Sequence, residues 1–65
     1  MMDEYRGVRV GDLIRIEYME DEPRYWGKSG KVTKIDDMGQ LHGTWGGLAV
    51  NLDVDTIAII RNENA

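Results

Sequence analysis

Short runs of aliphatic and β-branched residues, each interrupted by glycine or aspartate, dominate this sequence between Val8 and Ile60. No stretch of helical length repeats its apolar residues every 3.6 positions, so the pattern predicts no long helix. Alternating apolar residues between turn-forming clusters are typical of β-strands. We therefore predict an all-β chain, in which five short strands within 65 residues favour a small closed barrel over an open sheet.

The predicted strands cover about residues 12–19, 30–36, 40–45, 48–52 and 56–61. In the first strand, Ile14, Ile16 and Tyr18 share the face that we expect to be buried. In the second strand, Val32 and Ile35 have opposite parity, so burying both requires a bulge or a sharp twist near residues 33–34. A long loop over residues 20–29 is polar except for its two aromatic residues.

Two hairpin turns set the expected pairing of the strands. Residues 36–40 suit a three-residue loop with Gly39 in the left-handed region, which places Ile35 opposite Leu41. A two-residue turn at residues 46–47 then pairs Trp45 with Leu48, Gly43 with Val50 and Leu41 with Leu52. In this register Gly43 leaves room for a large neighbour or a tight bend, and Trp45 lies in the core or half-buried beside the turn at residues 46–47.

The composition bounds the domain organisation and the environment of the chain. A chain of 65 residues forms at most one domain, which we assign to residues 1–65 with an ordered core over about 8–61. The absence of cysteine excludes disulfides and fits a reducing cytoplasm. The first residues lack the basic and apolar regions of a secretory signal. No apolar run approaches the roughly 20 residues that span a bilayer, so we expect no membrane association.

Residues that usually carry catalysis or bind metals are sparse. His42 and Ser29 are the only histidine and serine, and no nucleophile, base and orienting group occur together. The aspartates at 36–37 and 53–55 lack the spacing of a calcium loop and suit turns instead. Residues 27–30 lack the spacing of a phosphate-binding loop. The sequence therefore predicts a non-enzyme with no metal and no cofactor.

A basic and aromatic stretch over residues 24–34 is the main candidate for a binding site. The candidate binding residues are Tyr18, Arg24, Tyr25, Trp26, Lys28, Lys31 and Lys34. Aromatic faces beside cations stack bases and neutralise phosphates. In the simpler interpretation, Trp26 covers one end of the barrel while the lysines solvate a strand. In a third interpretation, Tyr18 and Trp26 with the acidic run 20–22 form an aromatic groove for a proline-rich peptide.

Three segments carry a resemblance to known domains. Residues 11–16 resemble the first strand of many SH3-like barrels, and residues 27–32 resemble the glycine-rich start of the second strand, including that of KOW-type barrels. Residues 35–42, followed by Trp45, are similar to a small family of unknown function found in bacteria and their phages. This resemblance covers about residues 10–60 and implies a five-stranded SH3-like barrel with one long loop.

The chain departs from that family in two turns. Its members carry a longer Asn-Gly-Ser turn after the tryptophan, where this chain has only residues 46–47. They also carry Pro-Gly-x-Asp before the last strand, of which only Asp55 remains. The resemblance therefore implies a fold but carries over no site and no function, since one fold hosts many functions.

The charge distribution separates the classes of partner. The net charge of −4 argues against a general nucleic-acid binder, although residues 24–34 hold four basic residues and no acidic one. We therefore predict a non-catalytic interaction module of bacterial or phage origin that binds a protein in preference to nucleic acid. One alternative is an acidic phage-type inhibitor of a host defence or nucleic-acid enzyme, motivated by the acidic run at 20–22. The other is direct nucleic-acid binding through residues 24–34.

Overall fold

The computed structural model describes residues 1–61, and these residues form strands, turns and one short 3₁₀ helix. The strands are β1 (Glu4–Tyr5), β2 (Val8–Arg9), β3 (Leu13–Tyr18), β4 (Ser29–Ile35), β5 (Leu41–Gly43) and β6 (Thr56–Arg61), with the 3₁₀ helix at Pro23–Tyr25 between β3 and β4. The all-β prediction is confirmed. Over residues 1–61, no helix has the length and apolar character needed to cross a membrane.

The strands form two antiparallel sheets. One is the hairpin of β1 and β2, and the other has four strands in the order β5-β4-β3-β6. There are thus six strands where the sequence predicted five, and the four-stranded sheet is not closed, since within the described residues no ladder joins β5 to β6. Membership of the SH3-like class stays a prediction.

The core lies on one face of the four-stranded sheet. Alternate residues of β3 and β4 point to this face, as expected for strands with one buried side. Full burial of each aliphatic side chain stabilises the fold by about 1.5–3 kcal/mol. The buried apolar residues are Val8, Ile14, Ile16, Met19, Val32, Ile35, Leu41, Trp45 and Val50.

A bulge near the end of β3 changes which side chains are buried. Ile16 pairs with Ile57 and Tyr18 pairs with Thr56, so Glu17 is the extra residue on β3. Because a bulge reverses the alternation beyond it, Tyr18 turns outward and is 42% exposed, while Met19 turns inward and is 3% exposed. The prediction that Tyr18 lies on the buried face was therefore wrong.

Of the bulge or twist predicted in β4, the structure shows a bulge, and the hairpin after it is confirmed. The β4–β5 register shifts between Val32 and Lys34, which allows Val32 and Ile35 both to be buried. Gly39 has a φ of 81° and donates its N–H to the carbonyl oxygen of Asp36 at 2.9 Å. Ile35 faces Leu41, as the turn chemistry predicted.

The register predicted for the second hairpin was wrong by two residues. Leu41 pairs with Val50 rather than Leu52, through N···O distances of 2.9 and 2.8 Å. This bridge is all that forms of the expected strand over 48–52. Trp45 is confirmed in the core, and the room left by Gly43 holds its indole ring.

The β1–β2 hairpin was not predicted. Its two-residue turn places Arg6 and Gly7 at φ values of 51° and 82°, a left-handed pair that matches the twist of the strands. The ring of Tyr5 packs so closely over Gly39 that a Cβ there would lie 2.6 Å from it. This hairpin therefore covers one end of the sheet.

Candidate binding surface

Two aromatic rings lie together on the surface where β3 meets the long loop. The ring centroids of Tyr18 and Trp26 are 5.2 Å apart with a tilt of 38°. Trp26 is 48% exposed and Tyr18 is exposed to a similar degree. The indole Nε1–H of Trp26 donates a hydrogen bond to the carbonyl oxygen of Met19 at 3.0 Å, which fixes the ring. We call these two residues the aromatic pair.

The long loop is anchored on both sides of the aromatic pair. After the 3₁₀ helix, Trp26 donates its backbone N–H to the carbonyl of Pro23 at 3.1 Å. Gly27, with a φ of 89°, then donates to the carbonyl of Ile16 at 2.7 Å. At the other end, the backbone N–H of Glu20 donates to the buried Asp55 carboxylate at 2.9 Å. The loop therefore presents the rings from a fixed backbone.

Tyr25 and Lys28 form a second group between the 3₁₀ helix and β4. The carbonyl oxygen of Lys28 accepts the backbone N–H of Ile16 at 2.8 Å. The Lys28 Nζ lies 5.1 Å from the centroid of the Tyr25 ring, a cation–π distance. Tyr25 itself packs against the core and approaches Gly46. Tyr25 is therefore mainly structural.

Lys31 and Lys34 lie far from the aromatic pair. Lys31 is exposed and faces Leu13, five residues before Tyr18 on the same strand. At about 3.3 Å per residue, this separation is roughly 16 Å, and Lys34 lies farther still. The structure therefore divides the predicted stretch 24–34 into separate groups and does not bring its cations around the rings.

The charges next to the aromatic pair are balanced or acidic. Arg24, the nearest basic residue in sequence, pairs with Glu22 at 3.3 Å, and Arg15 pairs with Glu17 at 2.9 Å. Glu20 and Asp21 are exposed on the same loop. The surface around the rings therefore offers carboxylates, while its arginines already have acidic partners.

His42 and Asp36 are in contact across the hairpin over residues 36–40. Nε2 of His42 lies 2.9 Å from Oδ2 of Asp36, while Oδ1 accepts the N–H groups of Met38 and Gln40 at 3.0 Å. These bonds, led by that of His42, hold the pKa of Asp36 below its ordinary value. The carboxylate organises the hairpin. Across residues 1–61, no three histidine, aspartate or glutamate side chains cluster as metal ligands would.

Two buried carboxylates have structural roles that the sequence analysis missed. It assigned Asp55 only to a turn, and it gave Asp12 no role. Asp12 is fully buried, and its Oδ2 accepts the N–H of Arg9 at 2.8 Å. Asp55 accepts the N–H groups of Glu20 and Asn51, both at 2.9 Å. Asp55 thereby connects the start of the long loop to the segment before β6. Its place directly before a strand was the only signal, and it is not specific.

Comparison of the chain with protein-family models, with curated proteins and with solved structures finds no match. The resemblance to a bacterial and phage family of SH3-like barrels accordingly stays a prediction. Because function depends on the site more than on the fold, the aromatic pair and its charges carry the functional argument.

Proposed function

We propose that this domain is a non-catalytic protein-binding module of bacterial or phage origin that acts in the cytoplasm. The aromatic pair is the centre of its binding surface. The observation that carries the proposal is that Tyr18 and Trp26 pack together while each remains about half exposed. Tryptophan and tyrosine are the residues most enriched among those that dominate the energy of protein interfaces.

Preorganisation supports this assignment. The bulge at Glu17 turns Tyr18 outward, and the bond to the Met19 carbonyl holds Trp26 beside it. Rings that are ordered before binding lose less conformational freedom when a partner covers them. A tryptophan needed only to cover the core would be more fully buried, as Trp45 is.

The charges around the rings indicate the chemistry of the partner. The loop beside the aromatic pair carries Glu20 and Asp21, and the arginines near it are already paired. A partner with an apolar centre and basic residues at its rim complements this surface. In the phage-type inhibitor form of the proposal, that partner is the basic channel of a nucleic-acid enzyme.

Direct nucleic-acid binding is the second candidate, and it belongs to a different surface. It is favoured only by the exposed Lys31 and Lys34 on β4, about 16 Å or more from the aromatic pair. Phosphate contacts release counterions, so this function would show a steep dependence of affinity on salt.

Affinity capture from bacterial lysate with and without nuclease treatment, read by mass spectrometry, tests the proposal. The wild type is compared with Trp26→Ala, with the conservative Trp26→Phe, and with the double variant Lys31→Ala and Lys34→Ala. Met38→Ala serves as the control, because this side chain is exposed at the tip of the hairpin over 36–40. Thermal unfolding of each variant establishes that it is folded.

If the domain binds a protein through the aromatic pair, the wild type, the lysine variant and the Met38 control should all capture the same protein. The amount of protein captured by Trp26→Ala should be at least about tenfold lower than that captured by the wild type, since a central aromatic residue contributes about 2 kcal/mol or more to binding. Trp26→Phe should capture an intermediate amount. Capture that disappears with nuclease, or that fails only in the lysine variant, would contradict protein binding and favour nucleic acid.

A further inference from the structure

The strand β6 forms one edge of the four-stranded sheet and pairs only with β3 in the described part of the chain. Edge strands present a row of unpaired N–H and C=O groups that can pair with another chain. Natural proteins usually protect such edges with charge, proline or a bulge. The run over residues 57–60 of β6 is Ile-Ala-Ile-Ile and carries no charge. A bulge lies at Ile60, because Leu13 faces Arg61 while Ile14 faces Ile59, so the stretch of the edge that is suited to pairing is residues 56–59.

The hydrogen bonding of β3 shows which groups of β6 are free. Ile16 donates its N–H to the carbonyl oxygen of Lys28 and accepts the N–H of Gly27, both in the segment just before β4, so these groups point away from β6. By the alternation of antiparallel ladders, Arg15 points its groups toward β6 and exchanges bonds with Ala58, its partner in register.

It follows that the residues on either side of Ala58 direct their backbone groups outward. Ile57 and Ile59 face Ile16 and Ile14, which bond to β4, so the N–H and C=O of both point to the free edge. Over residues 1–61, no hydrogen bond outside the sheet ladder reaches either residue. The edge thus carries two donors and two acceptors, arranged evenly about Ala58.

A groove of about 320 Å³ lies alongside these two isoleucines. Its walls combine the inner side of β6 with the β1–β2 hairpin and the segment before β6. Ile59 is 44% exposed at this groove although it occupies a sheet position. The lining residues are Arg6, Val8, Leu52, Asp55, Thr56, Ile57 and Ile59.

We propose that β6 pairs with β6 of a second copy of this chain in an antiparallel, two-fold symmetric ladder centred on Ala58. Ile57 then faces Ile59 of the second copy, and Ile59 faces Ile57. Each of these two pairs exchanges two N–H···O bonds, four in total. The outward groups of one copy therefore meet those of the other without a shift in register.

The symmetry of the edge favours a second copy as the occupant. A two-fold interface must be complementary to itself, and the outward groups at 57 and 59 satisfy this condition about Ala58. The centre places the smallest side chain of the run opposite itself, while isoleucines meet on the groove side. No like charges meet over residues 57–60, although each copy carries a net charge of −4. The proposal does not depend on the proposed function, although Tyr18 faces Thr56 at the start of β6.

The dimer should be weak. The regular part of the edge is shorter than the six residues of β6, and pairing over it should bury less than the about 1,200 Å² of the smallest standard interfaces, so we expect a dissociation constant on the order of 100 μM. Sedimentation equilibrium of the full chain, from about 10 μM to 1 mM, covers this range.

Three variants locate the interface. Ile59→Pro removes an outward N–H but no bond to β3, and proline is tolerated in this position of an edge strand. Ile59→Lys instead places a charge on the edge, and it tests the proposal if the proline variant does not fold. Met38→Lys adds the same charge at the exposed hairpin tip and is the matched control.

If β6 pairs with a second copy, the wild type and Met38→Lys should self-associate. In each folded Ile59 variant the dissociation constant of the dimer should rise at least about tenfold, which corresponds to about 1.4 kcal/mol in the free energy of association. Amide hydrogen exchange at Ile57 and Ile59 should slow as the concentration of the wild type rises. A wild type that stays monomeric to 1 mM would overturn the proposal. Association that both Ile59 variants retain would overturn it as well, as would binding of other proteins to this edge without self-association.

Discussion

At the scale of single residues, Gly43 shows how a missing side chain makes room for the largest one in the core. Trp45 folds back over Gly43 and Gly30, and its Nε1–H donates to the carbonyl of Leu48 at 2.8 Å. The parity of residues 41, 43 and 45 predicted this space. It did not predict that the ring from two residues later fills it, because parity gives a face and not a direction along the strand.

Replacing Gly43 with alanine should destabilise the fold. The new Cβ would overlap both the Trp45 ring and the carbonyl oxygen of Lys31, so one of them must move. Overpacking of this kind costs about 1–3 kcal/mol in the free energy of unfolding, which urea titration measures. Gly47→Ala is the control, because a Cβ at Gly47 meets nothing within 4 Å. Equal stability of the two variants would show that Trp45 does not pack as described.

Asp55 is the second residue whose replacement is informative. Asp55→Ala leaves the N–H groups of Glu20 and Asn51 without their acceptor, at a cost of about 1–3 kcal/mol. Asp55→Asn keeps one oxygen and should lose less. Asp53→Ala, which breaks only an exposed pair with Arg6, should cost less than about 1 kcal/mol. Chemical denaturation of the three variants should therefore rank Asp55→Ala as the least stable, and any other order contradicts the role of Asp55 as an anchor.

At the scale of elements, the two hairpins differ in how well their sequences specify them. In the hairpin over 36–40, glycine at the left-handed position and an apolar pair across the strands agree on one register. In the other hairpin, a shift of two residues keeps every side chain on its face, so alternation cannot distinguish Val50 from Leu52 as the partner of Leu41.

Bulges and very short strands limited the prediction in the same way. Alternation alone placed Tyr18 in the core. The bulge at Glu17 could not be predicted, because it depends on the pairing of β3 with β6 and no residue type in β3 indicates it. The two-residue strands β1 and β2 are too short to show any period. The aromatic pair itself required the structure, since Tyr18 and Trp26 meet only after the bulge and the 3₁₀ helix have turned them together.

The Asp36 hairpin should make stability depend on pH in the acid range. The pKa of the Asp36 carboxyl is lower in the folded chain than the ordinary value of 3.8, because the carboxylate accepts hydrogen bonds from His42 and from two backbone N–H groups. The charged form therefore stabilises the fold above pH 3.8, and this contribution disappears as the pH falls through the lowered pKa.

Thermal unfolding between pH 7 and pH 2 measures this dependence. Asp36→Asn should unfold at a lower temperature at pH 7 and should lose less on acidification than the wild type. Asp3→Asn is the control, because the Asp3 side chain accepts no hydrogen bond in the described part of the chain, and it should keep the acid dependence of the wild type. Parallel curves for all three proteins would show that Asp36 does not carry this contribution.

At the scale of the whole molecule, the fold sets the lysines of β4 apart from the aromatic pair, while the edge of β6 begins beside that pair, where Thr56 faces Tyr18. The aromatic pair lies at one end of β3 with acidic neighbours, the lysines of β4 lie toward the other end, and the apolar edge of β6 borders a groove. A small domain with so little interior has few residues to spare, so half-exposed tryptophan and isoleucine side chains are the features that packing does not explain. We propose that a protein partner covers the half-exposed Trp26 at the aromatic pair and that a second copy of the chain covers Ile59 at the edge of β6.

The most direct test of the proposed function follows the two indole N–H signals in the NMR spectrum of the ¹⁵N-labelled domain during titration with the captured protein. Trp26 reports on the aromatic pair, and the buried Trp45 is an internal control. We expect the Trp26 indole signal and the amide signal of Tyr18 to shift or broaden while the Trp45 indole signal stays in place. Perturbation confined to Lys31 and Lys34, with the Trp26 signal unchanged, would contradict the proposed function.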